Sequence, residues 1–125
     1  MTDWFARPVL HVADVEASLR YYTASLGFTT AWRHEEEGRP IVAQVDRDGC
    51  SLIIASTWQD KAGNGTMFVS LDPKPWSKEA QALALDALRA EFAAAGARVR
   101  DGQWGYRVVV IEDPDGNVLL FNYTD

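Results

Sequence analysis

The amino-acid sequence predicts an α+β fold of two tandem βαβββ modules, and three observations carry that prediction. The hydrophobic pattern passes twice from the two-residue period of a strand to the 3.6-residue period of a helix and back. Each predicted helix ends at a glycine, Gly27 or Gly96, just before a strand. The run Asp46-Arg47-Asp48-Gly49-Cys50-Ser51-Leu52-Ile53-Ile54 lines up with Asp113-Pro114-Asp115-Gly116-Asn117-Val118-Leu119-Leu120-Phe121, so one turn and the strand after it recur.

In chain order, Arg7 to Val12 reads as a short strand. Asp14 reads as a helix N-cap, with Val15, Leu19, Tyr22 and Leu26 on one helical face and Gly27 as the left-handed stop. Phe28 to Arg33 is a strand leading to a charged hairpin, His34-Glu35-Glu36-Glu37-Gly38. Ile41 to Val45 and Ser51 to Ala55 are two further strands. After a polar loop containing Gly63, Asn64 and Gly65, the order restarts. Met67 to Leu71 is a strand, and Pro73 and Pro75 hold a loop. Ser77 caps an Ala-rich helix that carries Leu85, Leu88 and Phe92 inward. Ala97 to Arg100, Tyr106 to Glu112 and Val118 to Tyr123 close the chain as strands. A single domain over 1–125 is expected, with modules at 1–57 and 65–125.

Bulk properties narrow the function. A net charge of −6 argues against nucleic acid, whose phosphates need a basic face. Cys50 is the one cysteine, so a disulfide framework and a thiolate metal cluster are excluded, and a buried, inert thiol is expected. No stretch approaches membrane-spanning length and no secretory signal is legible, so a cytoplasmic protein is expected. Five Trp, four Tyr and five Phe are more aromatic surface than a small core needs, and the surplus points to clefts or interfaces.

Three segments give the chain a family resemblance. Pro8-Val9-Leu10-His11-Val12-Ala13-Asp14-Val15-Glu16-Ala17-Ser18-Leu19-Arg20-Tyr21-Tyr22, continuing to Leu26-Gly27-Phe28, resembles the opening strand and helix of the vicinal-oxygen-chelate superfamily, the glyoxalase, bleomycin-resistance and dioxygenase group. Trp104-Gly105-Tyr106-Arg107 is similar to a Trp-Gly-x-Arg signature of its bleomycin-resistance branch. Glu112-Asp113-Pro114-Asp115-Gly116-Asn117 resembles its closing turn. The resemblance implies two modules forming a curved, cupped mixed sheet around a cavity, completed in a homodimer. It implies four cavity-facing metal positions, which fall on Arg7, Ile53, Thr66 and Leu120. Arginine keeps its proton in proteins, Ile and Leu have no lone pair, and one hydroxyl is not a site, so no metal and no other cofactor is expected.

The remaining candidates are weighed on their own chemistry. His11 shares the strand face of Arg7 and Val9, toward the cavity, and suits a ligand hydrogen bond or a general base. Arg7 suits a ligand carboxylate or phosphate, or an internal salt bridge. The His34 cluster reads as solvated charge. The expected ligand-binding set is Arg7, His11, Trp32, Phe68, Trp104, Tyr106, Leu120 and Asn122, with no catalytic residue assigned. The leading expectation is metal-independent binding and sequestration of an antibiotic-type, bleomycin-like small molecule by a homodimer, with neither nucleic acid nor membrane as partner. Two alternatives stand beside it: a lyase or isomerase of the same superfamily acting on a small metabolite through His11 or Tyr106, and a ligand-free structural or regulatory dimer.

Overall fold

The computed structural model describes residues 1–124, and Asp125, the last residue of the second predicted module, lies outside the described residues. The first module runs β1 (Val9–His11), α1 (Val15–Arg20), β2 (Thr29–Glu36), β3 (Arg39–Arg47) and β4 (Cys50–Ala55). The second runs β5 (Thr66–Val69), α2 (Lys78–Ala94), β6 (Arg98–Gln103), β7 (Arg107–Glu112) and β8 (Val118–Asn122). Each module makes a four-stranded sheet of matching order, β1-β4-β3-β2 and β5-β8-β7-β6, whose first and last strands pair in parallel. Neither sheet closes into a barrel, and the α+β duplication is as the sequence predicts.

Register makes the duplication exact at the level of residues. Val9 sits beside Ile53, and Phe68 sits beside Leu120. The same shift pairs Arg7 with Thr66. The turns are not equivalent, however. Arg47 faces Cys50 across the two-residue turn Asp48-Gly49, whereas Glu112 faces Val118 across five residues, 113–117. The second turn is longer because Asp113 folds into it. Its fully buried carboxylate accepts from the backbone N–H groups of Asp115 and Asn117, each at 2.9 Å, and from Asn117 Nδ2.

Helix starts are set by capping. Asp14 accepts from the Ala17 N–H and Ser77 from the Ala80 N–H, each satisfying a first-turn donor that the helix leaves free. The predicted first helix narrows to α1 and then widens into a π-type turn over Tyr21–Ser25. That wide turn brings two consecutive tyrosines against the other module. Tyr21 Oη donates to the Glu112 carbonyl at 2.7 Å, and Tyr22 Oη donates to Asp113 Oδ2 at 3.1 Å.

Strand limits run past the predicted ends at β2, β3 and β6, which extend to Glu36, over Arg39–Arg47 and to Gln103. The run predicted as a charged hairpin stays in the ladder to Glu36, and only Glu37 and Gly38, both at positive φ, make the turn. Backbone pairing with β3 holds this arm although its side chains are solvated, a contribution that hydrophobic patterning does not register. β1 and β5 are shorter than predicted, because pairing with β4 and β8 begins at Val9 and Thr66 and stops at His11 and Val69.

One core joins the modules. Leu10, Val45, Leu52 and Ile54 of the first sheet share a cluster with Val109, Ile111, Leu119 and Phe121 of the second, and Tyr22, Leu85 and Phe92 of the helical segments complete it. Each sheet therefore gives one face to the core and turns the other away. Cys50 lies half-buried at this cluster, where burial pushes its thiol up.

Burial has a consequence at alkaline pH. It raises the phenols of Tyr21 and Tyr22, with the Asp113 carboxylate adding to the effect, and it raises Tyr123 to about 12, helped by Asp86. A phenol raised in the folded state leaves stability unchanged below its ordinary value and removes it above, where the unfolded chain ionises first. For Tyr22 the loss is about 1.4 kcal/mol per pH unit above pH ~10. Urea midpoints measured across this range should be flat below about pH 10 and fall above it, and Tyr22→Phe should make the fall shallower.

Candidate functional site

The faces turned away from the core hold every residue of the predicted ligand set that lies on a strand. On the first sheet, register places Val9, Ile53, Gln44 and Trp32 in one row across four strands, with His11, Ala55, Val42 and His34 in the next. On the second, Phe68, Leu120, Val110 and Arg100 form a row, flanked by Asn122, Val108 and Gly102. Alternation explains the sorting, since Leu10, Leu52, Met67 and Leu119 between them point into the core.

On the first face a polar chain runs through Gln44, a residue the sequence did not single out. Its Oε1 accepts from the Arg7 guanidinium and, at 3.1 Å, from the Trp32 indole N–H, while its Nε2 donates to Asp46 at 2.9 Å. Hydrogen bonds from Gln44 and Ser51 hold the Asp46 carboxyl below the usual carboxylate value, with Arg7's charge assisting and burial opposing. The internal partner of Arg7 is thus an amide and not a carboxylate. The one available signal was a lone amide in the otherwise apolar run Ile41 to Val45. Trp32 is pinned through its nitrogen but keeps 41% of its surface exposed. His11 stacks on Trp58 with ring centroids 5.3 Å apart, and its shielded Nδ1 has no partner. Its carbonyl is tied by Gly63 N–H and Asn117 Nδ2.

The second face is more apolar. Val108, Val110 and Leu120 form a cluster separate from the main core, with Val118 packed against it. Phe68 and Trp104 meet at 5.3 Å in a tilted pair, and both are widely exposed. Trp104 and Tyr106 occupy the tip of the β6–β7 hairpin, closed by a 2.9 Å bond from the Trp104 N–H to the Tyr106 carbonyl with Gly105 at positive φ. Asn122 Oδ1 accepts from the Ser70 hydroxyl at 3.1 Å. Among the described residues, no hydrogen bond, ion pair or ring contact joins these side chains to those on the first face. One chain divides the predicted set between two separate outer faces.

The four positions implied as metal ligands test poorly for that role. Arg7 is committed to Gln44 and carries no lone pair, and Ile53 and Leu120 are aliphatic, leaving only the Thr66 hydroxyl. These residues do not fit a divalent metal. Among the described residues no group of three or more His, Cys, Asp or Glu is placed to hold one. No helix among them is long and apolar enough to cross a membrane.

Two βαβββ modules, each an open four-stranded sheet with one face on a common core, define the architecture. The sequence pattern of the Glyoxalase/Bleomycin resistance protein/Dioxygenase superfamily matches residues 4–121, and the chain belongs to that superfamily. Its structure is similar to the bleomycin-binding protein of bleomycin-producing Streptomyces verticillus complexed with copper(II)-bleomycin, at TM-score 0.72 and 25% identity over 100% of both chains. It also resembles TnmS3, an antibiotic binding protein from Streptomyces sp. CB03234, at TM-score 0.69 and 20% identity over 98% of each chain. A glyoxalase/bleomycin resistance protein from Catenulispora acidiphila matches at TM-score 0.70 and 21% identity, over 96% of this chain and 97% of that one. No curated protein matches the chain.

Proposed function

We propose that this protein binds and sequesters an antibiotic-type small molecule, without a metal, in clefts that two copies build together. In that arrangement the outer face of the first sheet of one protomer meets the outer face of the second sheet of its partner. Arg7, His11 and Trp32 then line one wall, and Phe68, Trp104, Tyr106, Leu120 and Asn122 line the other. The observation that carries the reading is the exposure of Val9, Trp32, Phe68 and Trp104 on sheet faces where a monomer gains nothing by exposing them. The likeness to a bleomycin-binding protein supports the ligand class. A cytoplasmic homodimer is the state in which such sequestration works.

Light scattering on the eluting protein at micromolar concentration tests the cleft. The expected mass is twice 13.9 kDa, and a monomer would contradict the proposal. A lyase or isomerase of the same superfamily is the second reading, favoured by the shielded and unpartnered Nδ1 of His11.

A further inference from the structure

We infer that the protein has a second small-molecule site, on the core side of the sheets, which takes a compact aromatic molecule carrying a hydrogen-bond donor. The argument comes from comparing two junctions that the duplication makes equivalent. At each one, the helical segment of one module lies against the last hairpin turn of the other. The C-terminal bonds of the two segments align them. The Phe28 N–H reaches the Tyr22 carbonyl just as the Ala97 N–H reaches that of Phe92, each at 2.9 Å, so Phe92 stands where Tyr22 stands and Glu91 where Tyr21 stands.

The first junction is filled. Tyr21 and Tyr22 place their phenols against the 112–113 backbone and carboxylate, and Tyr21 Oη also accepts from the Arg98 N–H at 3.0 Å. The second junction lacks both phenols. Phe92 has no hydroxyl, and Glu91 is spent on Arg47 at 2.7 Å. The turn is the shorter one, Asp48-Gly49, without a folded-in carboxylate. The loop entering the helix spans 70–77, where its counterpart spans only 12–14, which holds the wall away. A cavity of about 630 Å³ remains, within the size range of ligand pockets. Its floor is the rings of Phe28, Phe92 and Phe121, and Cys50 and Leu71 form part of its wall.

The rim selects among aromatic molecules. Asp48, Asp72 and Glu91 stand at the rim with one lining guanidinium, Arg47. Arg47 is bound to Glu91 and to the Leu26 carbonyl, each at 2.7 Å, and lies 3.6 Å from Asp48, while Asp72 is held by Lys74 at 2.8 Å. Three carboxylates against two cations that are both already engaged leave spare acceptor capacity and a negative rim, which favours a phenol or amine and opposes an acid. The ring that fills the twin junction is itself a phenol.

Cys50 is the one cysteine and lies on this wall, so its reaction with N-ethylmaleimide reports occupancy. With 2-naphthol as probe, alkylation of Cys50 should slow by about fivefold or more at saturation, and 2-naphthoate should leave it unchanged. Ala87→Phe, at the cavity edge on the exposed side of α2, should abolish the protection, and Ala84→Leu gives the same test if that variant misfolds. Trp32→Ala, on the sheet face, should retain it. Unchanged alkylation in 2-naphthol, equal protection by 2-naphthoate, protection surviving in both filled variants, or protection lost in Trp32→Ala would each overturn the inference. Only the last of those results would point to the clefts between protomers, and the others leave that reading untouched.

Discussion

Replacing Asp113 with alanine is expected to cost about 3–5 kcal/mol, a large part of the stability of a domain this size. The carboxylate is fully buried and serves four donors: Tyr22 Oη, two backbone N–H groups and Asn117 Nδ2. Alanine leaves all four in a dry site, and the penalty is the desolvation of each without return. The loss extends past the turn. Asn117, also fully buried, holds the His11 carbonyl through Nδ2 and the Gly65 N–H through Oδ1, so the turn ties the end of β1 to the loop entering β5. Asp113→Asn keeps the shape but sets an amide N–H₂ against donors, and it should fall between alanine and wild type. Urea denaturation reads the series. A cost under about 1 kcal/mol for Asp113→Ala would mean that the turn relaxes to expose its donors.

The second large effect is expected at Gly63. Its φ is +82°, and a Cβ there would lie 2.1 Å from the Asp115 carbonyl oxygen, a backbone atom in the turn just described. Gly49 is the natural control. Its φ is +84°, and an added Cβ meets nothing within 4 Å. Gly49→Ala should therefore cost only the left-handed conformation, about 1 kcal/mol, while Gly63→Ala should cost about 3–5 kcal/mol. Equal losses would show that the loop at 63 yields without strain.

What the sequence made legible follows from where its signals are local. Strand and helix order came from periodicity, the helix starts from Asp14 and Ser77, and the pairing of Ile53 with Leu120 from an internal repeat that register reproduces. The roles of Gly63, Gln44 and Asp113 depend on partners 52, 37 and 91 residues away, as the Asp115, Arg7 and Tyr22 contacts show. A one-chain reading had no access to those distances. The repeat also misled at one point: aligning Asp46 with Asp113 treats as equal a two-residue turn and a five-residue one. Five of the eight predicted ligand residues, His11, Trp32, Phe68, Leu120 and Asn122, lie on strands and face outward, as alternation alone decides, while Arg7 precedes β1 and Trp104 and Tyr106 lie in a hairpin turn. Their division between two separate faces was hidden, since it depends on how the modules share one core and not on either module's pattern.

The proposed cleft between the two outer faces is the centre of the functional account, and a thermal-shift screen of aromatic antibiotics on wild type beside Trp32→Ala tests it most directly. Trp32 is the exposed ring pinned by Gln44 on the first face, away from the core, so its loss should alter binding more than folding. The account predicts at least one compound that raises the wild-type melting temperature by on the order of 5 °C at a hundredfold excess over its Kd, and the shift should vanish in the variant. A screen in which no compound stabilises wild type, or in which every stabilising compound acts equally on Trp32→Ala, would contradict it.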